Sequence, residues 1–529
     1  MSLLQIRNLS LCINRLKILH DISMDISPGE IVAITGESGS GKSMTALATM
    51  QLLPEGSKTK GQILINDRDT MLLSETEMCR LRGNTVGMVF QEPMTALNPV
   101  QTIGAQVAES VRLHRPDLDP MARAAEVLTR VGLSPELVSL SRFPHTLSGR
   151  QRQRVIIAIA IACSPKLLIA DEPTTALDVT TQAQILHLLQ KLTTEDSMGL
   201  MMITHDLAVV TQMADQIIIM KNGHIVEKAR PSNLLNTPKH PYTKALIATS
   251  AHRATLPRLR QEAPLLRVRN VVQSYALPRR SIFTAPGKVY AVNDVSFDIP
   301  KGIRLGLVGE SGCGKSTLTR SILGLEPVKS GAITLDGEHV FSAGRPNLAV
   351  RRRMQVVFQD PYGSFNPRHR VARLITEPFN LLDKKPTATE SMDRIAKSLT
   401  SVGLLPSDAQ KYPHQFSGGQ RQRIAIARAI IIRPDLIIFD EAVSALDVSV
   451  RAQILDLITE LCRQYNLTYL FISHDLSVVR NITDHVLVMK SGKIVERGST
   501  EEVFSNPQDT YTKSLISAAP QLSKRTYHA

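Results

Sequence analysis

An internal repeat constrains the fold of this chain more than any other feature of its sequence. The phrase LSGRQRQR begins at Leu147 and its near copy FSGGQRQR begins at Phe416. Likewise, ADEPTTALDVTTQAQIL begins at Ala170 and FDEAVSALDVSVRAQIL at Phe439. The serines of the first pair, the aspartates of the second and the histidines that follow all recur at one constant offset. Equal spacing over so long a stretch indicates a duplicated domain.

The length agrees with this duplication, since 529 residues suit two large α/β domains better than one core. We predict a first domain over residues 1–250 and a second over residues 265–529. The stretch between them, 251–264, reads AHRATLPRLRQEAP, with two prolines, three arginines and no apolar periodicity. Such a composition predicts a short exposed linker.

Short apolar runs in each copy predict the fold class. EIVAIT and IRLGLV end at glycine-rich turns, KLLIAD and DLIIFD end in acid, and LMMITH and YLFISH end in histidine. Apolar runs of this length separated by helical stretches indicate a mostly parallel sheet buried on both faces. In such α/β sheets, polar residues at the carboxyl ends of strands usually face a ligand.

The apolar content of 43% and the charged content of 21% are typical of a globular protein. The longest apolar run, Val155 to Cys163, is too short to span a bilayer, so we do not expect the chain to cross a membrane by itself. The beginning MSLLQIRNLSL has no pattern of an export signal, which favours the cytoplasm.

The five cysteines lie far apart without a C-x-x-C pair, so we expect reduced thiols and no zinc site, iron–sulfur cluster or disulfide framework. The formal charge of +14 favours an anionic partner such as nucleic acid, an anionic membrane surface or a nucleotide. A merely basic surface explains the charge as well.

The pattern G-x-x-x-x-G-K-[ST] occurs twice, each time after a strand-like run and before a helix-like one. In this context the glycines let backbone N–H groups turn toward phosphates, the lysine neutralises charge, and the serine can bind Mg²⁺. The candidate phosphate-binding residues are Gly36, Glu37, Ser38, Gly39, Ser40, Gly41, Lys42, Ser43 and Met44 in the first copy, and Gly309, Glu310, Ser311, Gly312, Cys313, Gly314, Lys315, Ser316 and Thr317 in the second.

Polar residues after the other strands complete a hydrolytic set. Each aspartate of a DE pair can hold the magnesium shell, and its neighbouring glutamate can polarise a water. Each histidine can contact the γ-phosphate, and each glutamine of VFQEP and VFQDP can reach the metal or the water. The predicted catalytic residues are Glu172, His205, Glu441 and His474, and the predicted metal ligands are Ser43, Gln91, Asp171, Ser316, Gln359 and Asp440.

With these motifs in the same order twice, the chain resembles the ATP-binding cassette ATPases over nearly all its length. The phrases VFQEPMTALNP, VFQDPYGSFNP, PKHPYTKALI and PQDTYTKSLI resemble the ATP-binding subunits of bacterial oligopeptide, dipeptide and nickel importers. The fused two-cassette form is similar to the ATPases of microcin C and peptide importers. The resemblance implies two tandem P-loop nucleotide-binding domains, each with a RecA-like mostly parallel core sheet, an antiparallel β subdomain and a helical subdomain.

The resemblance also implies that the two cassettes pack head to tail, so that each ATP is shared between them. Site one then joins the lysine motif of the first copy to Ser417, Gly418, Gly419 and Gln420 of the second. Site two joins the second lysine motif to Ser148, Gly149, Arg150 and Gln151. ATP would close the halves and hydrolysis would release them, and the segments after Gln91 and Gln359 would pass this motion to membrane subunits.

The implied partners are two membrane permeases and a periplasmic solute-binding protein, with the chain on the cytoplasmic face of the bacterial inner membrane. ATP and Mg²⁺ are the implied cofactors, and neither nucleic acid nor an iron–sulfur cluster is expected. The alternative is a soluble twin-cassette ATPase acting on ribosomes or DNA, although the short linker and the lack of cysteine pairs weaken it. A nucleotide-gated module without turnover is disfavoured because both glutamates and both histidines are present.

Two positions depart from the expected pattern. For adenine stacking the second copy offers Tyr275, with Tyr290 nearby, whereas the first offers Ile13, which lacks a π-face. Arg150 stands where the second copy has Gly419. If that position needs a positive φ or close contact with phosphate, the arginine slows site two. If it is already helical, arginine is well suited to it.

Overall fold

The computed structural model describes residues 2–91, 96–175, 177–250, 256, 263–277, 287–342, 344–444, 446–520 and 522. Most of the predicted linker, 251–264, lies outside the described residues, as does the segment 92–95 directly after Gln91. The domain boundaries and the role of that segment therefore stay predictions.

The first half, residues 1–250, contains strands and helices in alternation. Its strands are β1 (Leu4–Ile13), β2 (Leu16–Ile26), β3 (Ile31–Thr35), β4 (Ser57–Ile65), β5 (Arg68–Asp69), β6 (Val86–Val89), β7 (Leu167–Asp171), β8 (Gly199–Ile203), β9 (Gln216–Lys221) and β10 (His224–Ala229). Its helices are α1 (Lys42–Thr49), α2 (Glu75–Leu81), α3 (Ile103–His114), α4 (Pro120–Arg130), α5 (Gly149–Ile161), α6 (Val179–Asp196), α7 (Leu207–Met213), α8 (Pro231–Asn236) and α9 (Pro241–Ser250).

The second half repeats this order with a few additional short elements, and its first strand begins at Pro264, the last residue of the predicted linker. Its strands are β11 (Pro264–Ala276), β12 (Lys288–Pro300), β13 (Arg304–Val308), β14 (Ser330–Leu335), β15 (Glu338–His339), β16 (Phe341–Ser342), β17 (Arg345–Pro346), β18 (Met354–Val357), β19 (Leu436–Asp440), β20 (Thr468–Ser473), β21 (His485–Lys490) and β22 (Lys493–Ser499). Its helices are α10 (Lys315–Ile322), α11 (Leu348–Arg352), α12 (Pro361–Ser364), α13 (Val371–Ile375), α14 (Ala388–Ser401), α15 (Gly418–Ile430), α16 (Val448–Tyr465), α17 (Leu476–Ile482), α18 (Thr500–Ser505) and α19 (Thr510–Ala518).

Each half has a six-stranded core sheet, in the order β10-β9-β3-β8-β7-β6 and β18-β19-β20-β13-β21-β22. Five strands of each sheet are parallel, and β10 or β22 adds an antiparallel edge. A four-stranded antiparallel sheet, β2-β1-β4-β5 or β12-β11-β14-β15, forms a second layer. The predicted fold class is confirmed.

The central strand β3 shows why the strands of the core sheet are continuous apolar runs in the sequence. Ile31 and Ala33 join the hydrophobic cluster on the helical side of the sheet. Val32 and Ile34 join the cluster shared with the antiparallel sheet. Since successive side chains point to opposite faces, a strand buried on both sides needs an apolar residue at every position.

Helices α3, α4 and α5 pack on one another in the first half, and α13 and α14 pack on α15 in the second. These groups are the predicted helical subdomains. None of the helices in the described parts of the chain is both long and apolar enough to span a bilayer.

Candidate nucleotide-binding sites

The lysine motifs form two loops at the carboxyl ends of β3 and β13. We call Gly36–Ser43 the first phosphate loop and Gly309–Ser316 the second. Gly36 has a φ of 150°, and a Cβ there would lie 2.1 Å from the carbonyl oxygen of Met220. Gly309 repeats this with a φ of 156° and a distance of 2.2 Å to the carbonyl oxygen of Met489. Only glycine fits the first position of either loop.

The lysine of each loop is buried and reaches back over the loop. Lys42 donates from Nζ to the carbonyl oxygens of Gly36 (2.8 Å) and Glu37 (2.9 Å). Lys315 does the same to Gly309 (2.7 Å) and Glu310 (2.9 Å). Burial lowers the pKa of Lys42, although nearby carboxylates, Glu172 foremost, oppose this. Each ammonium group therefore lies inside its loop, where it can neutralise a phosphate.

Ser43 and Asp171 are brought together as predicted. Ser43 is the second residue of α1 and Asp171 is the last of β7, and the hydroxyl donates to the carboxylate at 3.2 Å. Burial, together with the charge of Glu172, raises the pKa of Asp171.

Ser316 and Asp440 occupy the same places in the second half, and burial and Glu441 raise the pKa of Asp440 to about 6. Hydroxyl and carboxylate oxygens are the kind of ligand that Mg²⁺ prefers. Within the described residues no three His, Cys, Asp or Glu side chains cluster as a preformed metal site, so phosphate oxygens and water would have to complete the coordination shell.

The predicted catalytic glutamates contact the predicted histidines in both halves. His205 Nδ1 lies 3.2 Å from the Glu172 carboxylate, and His474 Nδ1 lies 3.3 Å from that of Glu441. Glu172 also accepts from Gln91 (3.1 Å). Gln91, Glu172 and His205 thus converge from three different strands.

The backbone at both glutamates is unusual, with φ values of 48° at Glu172 and 52° at Glu441. Left-handed non-glycine residues of this kind cluster at functional sites. Burial opposes ionisation of Glu172, but hydrogen bonding and charge from His205, with help from Thr175, lower its pKa to about 2. The pKa of Glu441 is lowered in the same way, by His474 acting against burial. Both carboxylates are therefore ionised and can accept a hydrogen bond from a water molecule.

The serines of the repeated SG phrases begin helices α5 and α15. Ser148 and Gln151 form a reciprocal capping box at the start of α5, and Ser417 and Gln420 form one at the start of α15. Gly149 has open space around its α-carbon. Both helix N-termini carry backbone N–H groups suited to an anion.

Position 150 is helical, which answers the backbone part of the question raised by Arg150, whereas its contact with a phosphate stays a prediction. Arg150 is the second residue of α5 and is exposed, and its counterpart Gly419 lies in α15 without a positive φ. The arginine therefore carries no backbone penalty, and the alternative that required a positive φ is wrong. At Gly419, however, a Cβ would lie 2.3 Å from the side chain of Val450. The second copy therefore has less room for a side chain at this position than the first copy, which carries Arg150.

The halves contact each other close to the phosphate loops. Thr180 of the first half donates to the carboxylate of Glu310 in the second phosphate loop at 2.6 Å. Asp447 of the second half lies near enough to Lys42 to oppose the lowering of its pKa. Helix α9 packs on α16, and α19 packs on α6. The segment after each ALD phrase therefore faces the phosphate loop of the opposite half.

The candidate adenine contacts are less defined. Tyr275 and Tyr290 are 40% and 51% exposed, on strands β11 and β12, so their rings are accessible. The Tyr275 hydroxyl donates to Glu326 at 2.9 Å. Ile13 is half-buried at the end of β1. The adenine role of Tyr275 stays a prediction.

Some contacts were not predicted from the sequence. Thr175 donates to Glu172 at 2.8 Å, and the hydroxyls of Tyr242 and Tyr511 contact the phosphate loops. The repeated YTK of PYTKALI and TYTKSLI was the available signal for the tyrosines, because it recurs with the other motifs.

Comparison with known proteins places these features in a family. The family model described as ABC transporter matches residues 19–175 and 292–444, and the model described as oligopeptide/dipeptide transporter, C-terminal region, matches 226–271 and 495–528. The glutathione import ATP-binding protein GsiA of Shigella dysenteriae serotype 1 (strain Sd197) is 45% identical, over 95% of this chain and 86% of its own length. GsiA of Escherichia coli (strain K12) is 44% identical with the same coverage.

A solved structure, cbiO1 from Clostridium perfringens, part of the ABC transporter complex cbiONQ, aligns with a TM-score of 0.40 at 26% identity. It covers 46% of this chain and 92% of its own. The two family matches lie one in each half, at corresponding motifs. The chain belongs to the ABC transporter family.

Proposed function

We propose that this protein is the ATP-hydrolysing motor subunit of a bacterial importer for small peptides or related solutes, acting through separate membrane permeases. The observation that carries the hydrolytic part is the twofold occurrence of an ionised glutamate held by a histidine beside a phosphate loop. The same arrangement in both halves is what two working ATP sites require.

The residues divide the chemistry between them. Lys42 would exchange its two carbonyl partners for phosphate oxygens of ATP, because both kinds of oxygen accept from an ammonium group. Glu172 would take a proton from the attacking water, and His205 would hold the carboxylate in place and reach the γ-phosphate. Mg²⁺, bound by Ser43 and Asp171, would neutralise phosphate charge. The equivalent residues of the second half would act in the same way.

Each site would be completed by the opposite half. The cross-half contacts of Thr180 and Asp447 support a head-to-tail packing, in which the N-terminus of α15 would face the first phosphate loop and that of α5 the second. Helix N–H groups and a serine hydroxyl would then bind the γ-phosphate. Binding of ATP would hold the halves together, and hydrolysis would let them separate.

The partners follow from the importer role. Two permeases and a periplasmic solute-binding protein would complete the transporter, with this chain at the cytoplasmic face of the inner membrane. Glutathione, a tripeptide, is the first solute to test, because the relatives that cover this chain are named for its import. The alternative of a ribosome- or DNA-acting ATPase is not favoured by these relatives.

The test is Mg²⁺-dependent ATP hydrolysis by the full chain, with Glu172→Gln and Glu441→Gln combined. We expect turnover to fall by about 100-fold or more, in line with the loss of a general base. Glu195→Gln, on the exposed side of α6, is the matched control and should leave turnover unchanged. Turnover that survives in the double variant contradicts the assignment, and glutathione uptake by membranes containing the full transporter tests the solute.

A further inference from the structure

Each half carries a buried tyrosine on its C-terminal helix that contacts its own phosphate loop. The backbone N–H of Glu37 donates to the hydroxyl of Tyr242 at 3.1 Å. The backbone N–H of Glu310 donates to the hydroxyl of Tyr511 at 3.0 Å. The two tyrosines are 7% and 6% exposed. The same contact occurs in both halves with similar distances. A contact that is repeated in this way is not expected from chance packing.

The tyrosine and the lysine form hydrogen bonds with the N–H and the C=O of one and the same peptide unit. Between Gly36 and Glu37, the C=O accepts from Lys42 while the N–H donates to Tyr242. A peptide unit is planar, so fixing the N–H also fixes the direction of the C=O. Donating and accepting bonds on one peptide also strengthen each other. The tyrosine hydroxyl therefore orients the carbonyl that positions the lysine.

In the second half the same peptide unit, between Gly309 and Glu310, is held by Lys315 and Tyr511. Each ring is also covered by a cation at the end of the neighbouring strand. Lys221 lies 4.6 Å from the ring centre of Tyr242, and Lys490 lies 4.6 Å from that of Tyr511. Cation–π contacts of this length hold the rings independently of the hydroxyls.

The helices that carry the tyrosines are themselves anchored. The Glu227 carboxylate accepts from the backbone N–H groups of Lys239 (2.9 Å) and His240 (3.0 Å), just before α9. In the second half, Glu496 accepts from the N–H groups of Gln508 and Asp509 just before α19. A buried acid at a helix start fixes the helix by charge-assisted hydrogen bonds.

The same two helices reach the opposite half. Helix α9 packs on α16, and α19 packs on α6. Asp447 is close enough to influence the pKa of Tyr242, and Asp178 that of Tyr511, each from across the interface. Each tyrosine thus contacts the phosphate loop of its own half from a helix that packs on the other half.

We infer that Tyr242 and Tyr511 are positioning residues that preset the first peptide of each phosphate loop for ATP and tie it to the helix that packs on the opposite half. This inference rests on the proposed function of the loops as ATP sites. Once ATP is bound, its phosphates hold the same loop, so the hydroxyl matters most in the free protein. Its loss should weaken ATP binding more than it slows the chemical step.

The experiment compares Tyr242→Phe/Tyr511→Phe with the wild-type full chain. The substitution removes the two hydroxyls and keeps the rings, their packing and the cation–π contacts. We expect the dissociation constant for ATP, measured by calorimetry, to rise about 3- to 10-fold, the range for loss of one hydrogen bond per site. We expect kcat to change less than about 2-fold.

The matched control is Thr243→Val/Thr512→Val, which removes the adjacent buried hydroxyls of the same helices. These hydroxyls help to lower the pKa of Glu227 and Glu496, but they have no hydrogen-bond partner of normal geometry among the described residues, so the control removes two buried hydroxyls of these helices without touching the loops. An unchanged ATP affinity in the phenylalanine variant, an equal loss in the valine control, or a fall in kcat at constant affinity would each overturn the inference. If the wild type binds ATP without hydrolysing it, the proposed function fails while the affinity comparison still decides this inference.

Discussion

Two equivalent aspartates at the interface between the halves should respond to the same substitution with opposite signs. Asp206 and Asp475 each follow a proposed catalytic histidine and cap helices α7 and α17. Arg451 lies 2.7 Å from Asp475, whereas the first half has Gln182 at the equivalent place. Burial and the charge of Asp475 raise the pKa of Asp206. Burial also acts on Asp475, but Arg451, Ser477 and His474 together outweigh it and lower its pKa.

Asparagine caps a helix as well as aspartate does, so the substitutions change charge more than capping. Asp475→Asn should destabilise by roughly 1 to 2 kcal/mol, the range for a charged hydrogen bond discounted for the partial exposure of the pair. Asp206→Asn should instead stabilise by up to roughly 1 kcal/mol, because it removes a carboxylate that the fold disfavours. At roughly 2 to 4 °C per kcal/mol, both changes are measurable as shifts of Tm at pH 8.

The two substitutions should also differ in how their effects on stability depend on pH. The penalty at Asp206 is complete above its elevated folded pKa and is absent below its unfolded pKa of about 3.9, so the gain from Asp206→Asn should shrink as pH falls from 8 toward that unfolded value. The contribution of Asp475 is present above its unfolded pKa of about 3.9, so the loss from Asp475→Asn should persist at pH 5. Differential scanning calorimetry at the two pH values is the assay. Shifts of the same sign for both variants at pH 8 would refute the reasoning.

Further substitutions test the loop and helix geometry. Gly419→Arg should reduce ATPase turnover strongly, because its side chain collides with Val450. Arg150→Gly should leave turnover close to wild type and cost about 0.5 to 1 kcal/mol of helix stability. Equal effects of the two substitutions on turnover would contradict the structure. Gly36→Ala should abolish ATP binding at site one, since its Cβ meets a backbone carbonyl. Filter binding with labelled ATP measures the loss, and undiminished binding at site one would contradict the loop geometry.

Much of the fold could be predicted because strands buried on both faces read as continuous apolar runs, and the motifs mark where they end. Asp171 follows Leu167–Ala170, and this position at the strand end places it beside Ser43. The helical state of position 150 was also available in the sequence, because Ser148 and Gln151 have the spacing of a capping box.

The contacts between the halves could not be predicted in the same way. Thr180 and Glu310 are far apart in sequence, and neither lies in a pattern that names its partner. The hydrogen bond from Glu37 to Tyr242 depends on how the C-terminal helix returns to the core sheet. Such pairings depend on tertiary packing, which the local periodicity of the sequence does not predict.

The central claim is that each ATP site is shared between the halves, with Lys42 facing Ser417 and Lys315 facing Ser148. The decisive measurement is equilibrium ATP binding to the Lys42→Ala chain after a second substitution, Ser417→Phe or Ser148→Phe. Lys42→Ala disables site one, so adding Ser417→Phe should leave the remaining binding unchanged and adding Ser148→Phe should remove it. The reverse result, with binding lost on Ser417→Phe and kept on Ser148→Phe, would show that each half forms its own site and would contradict the account.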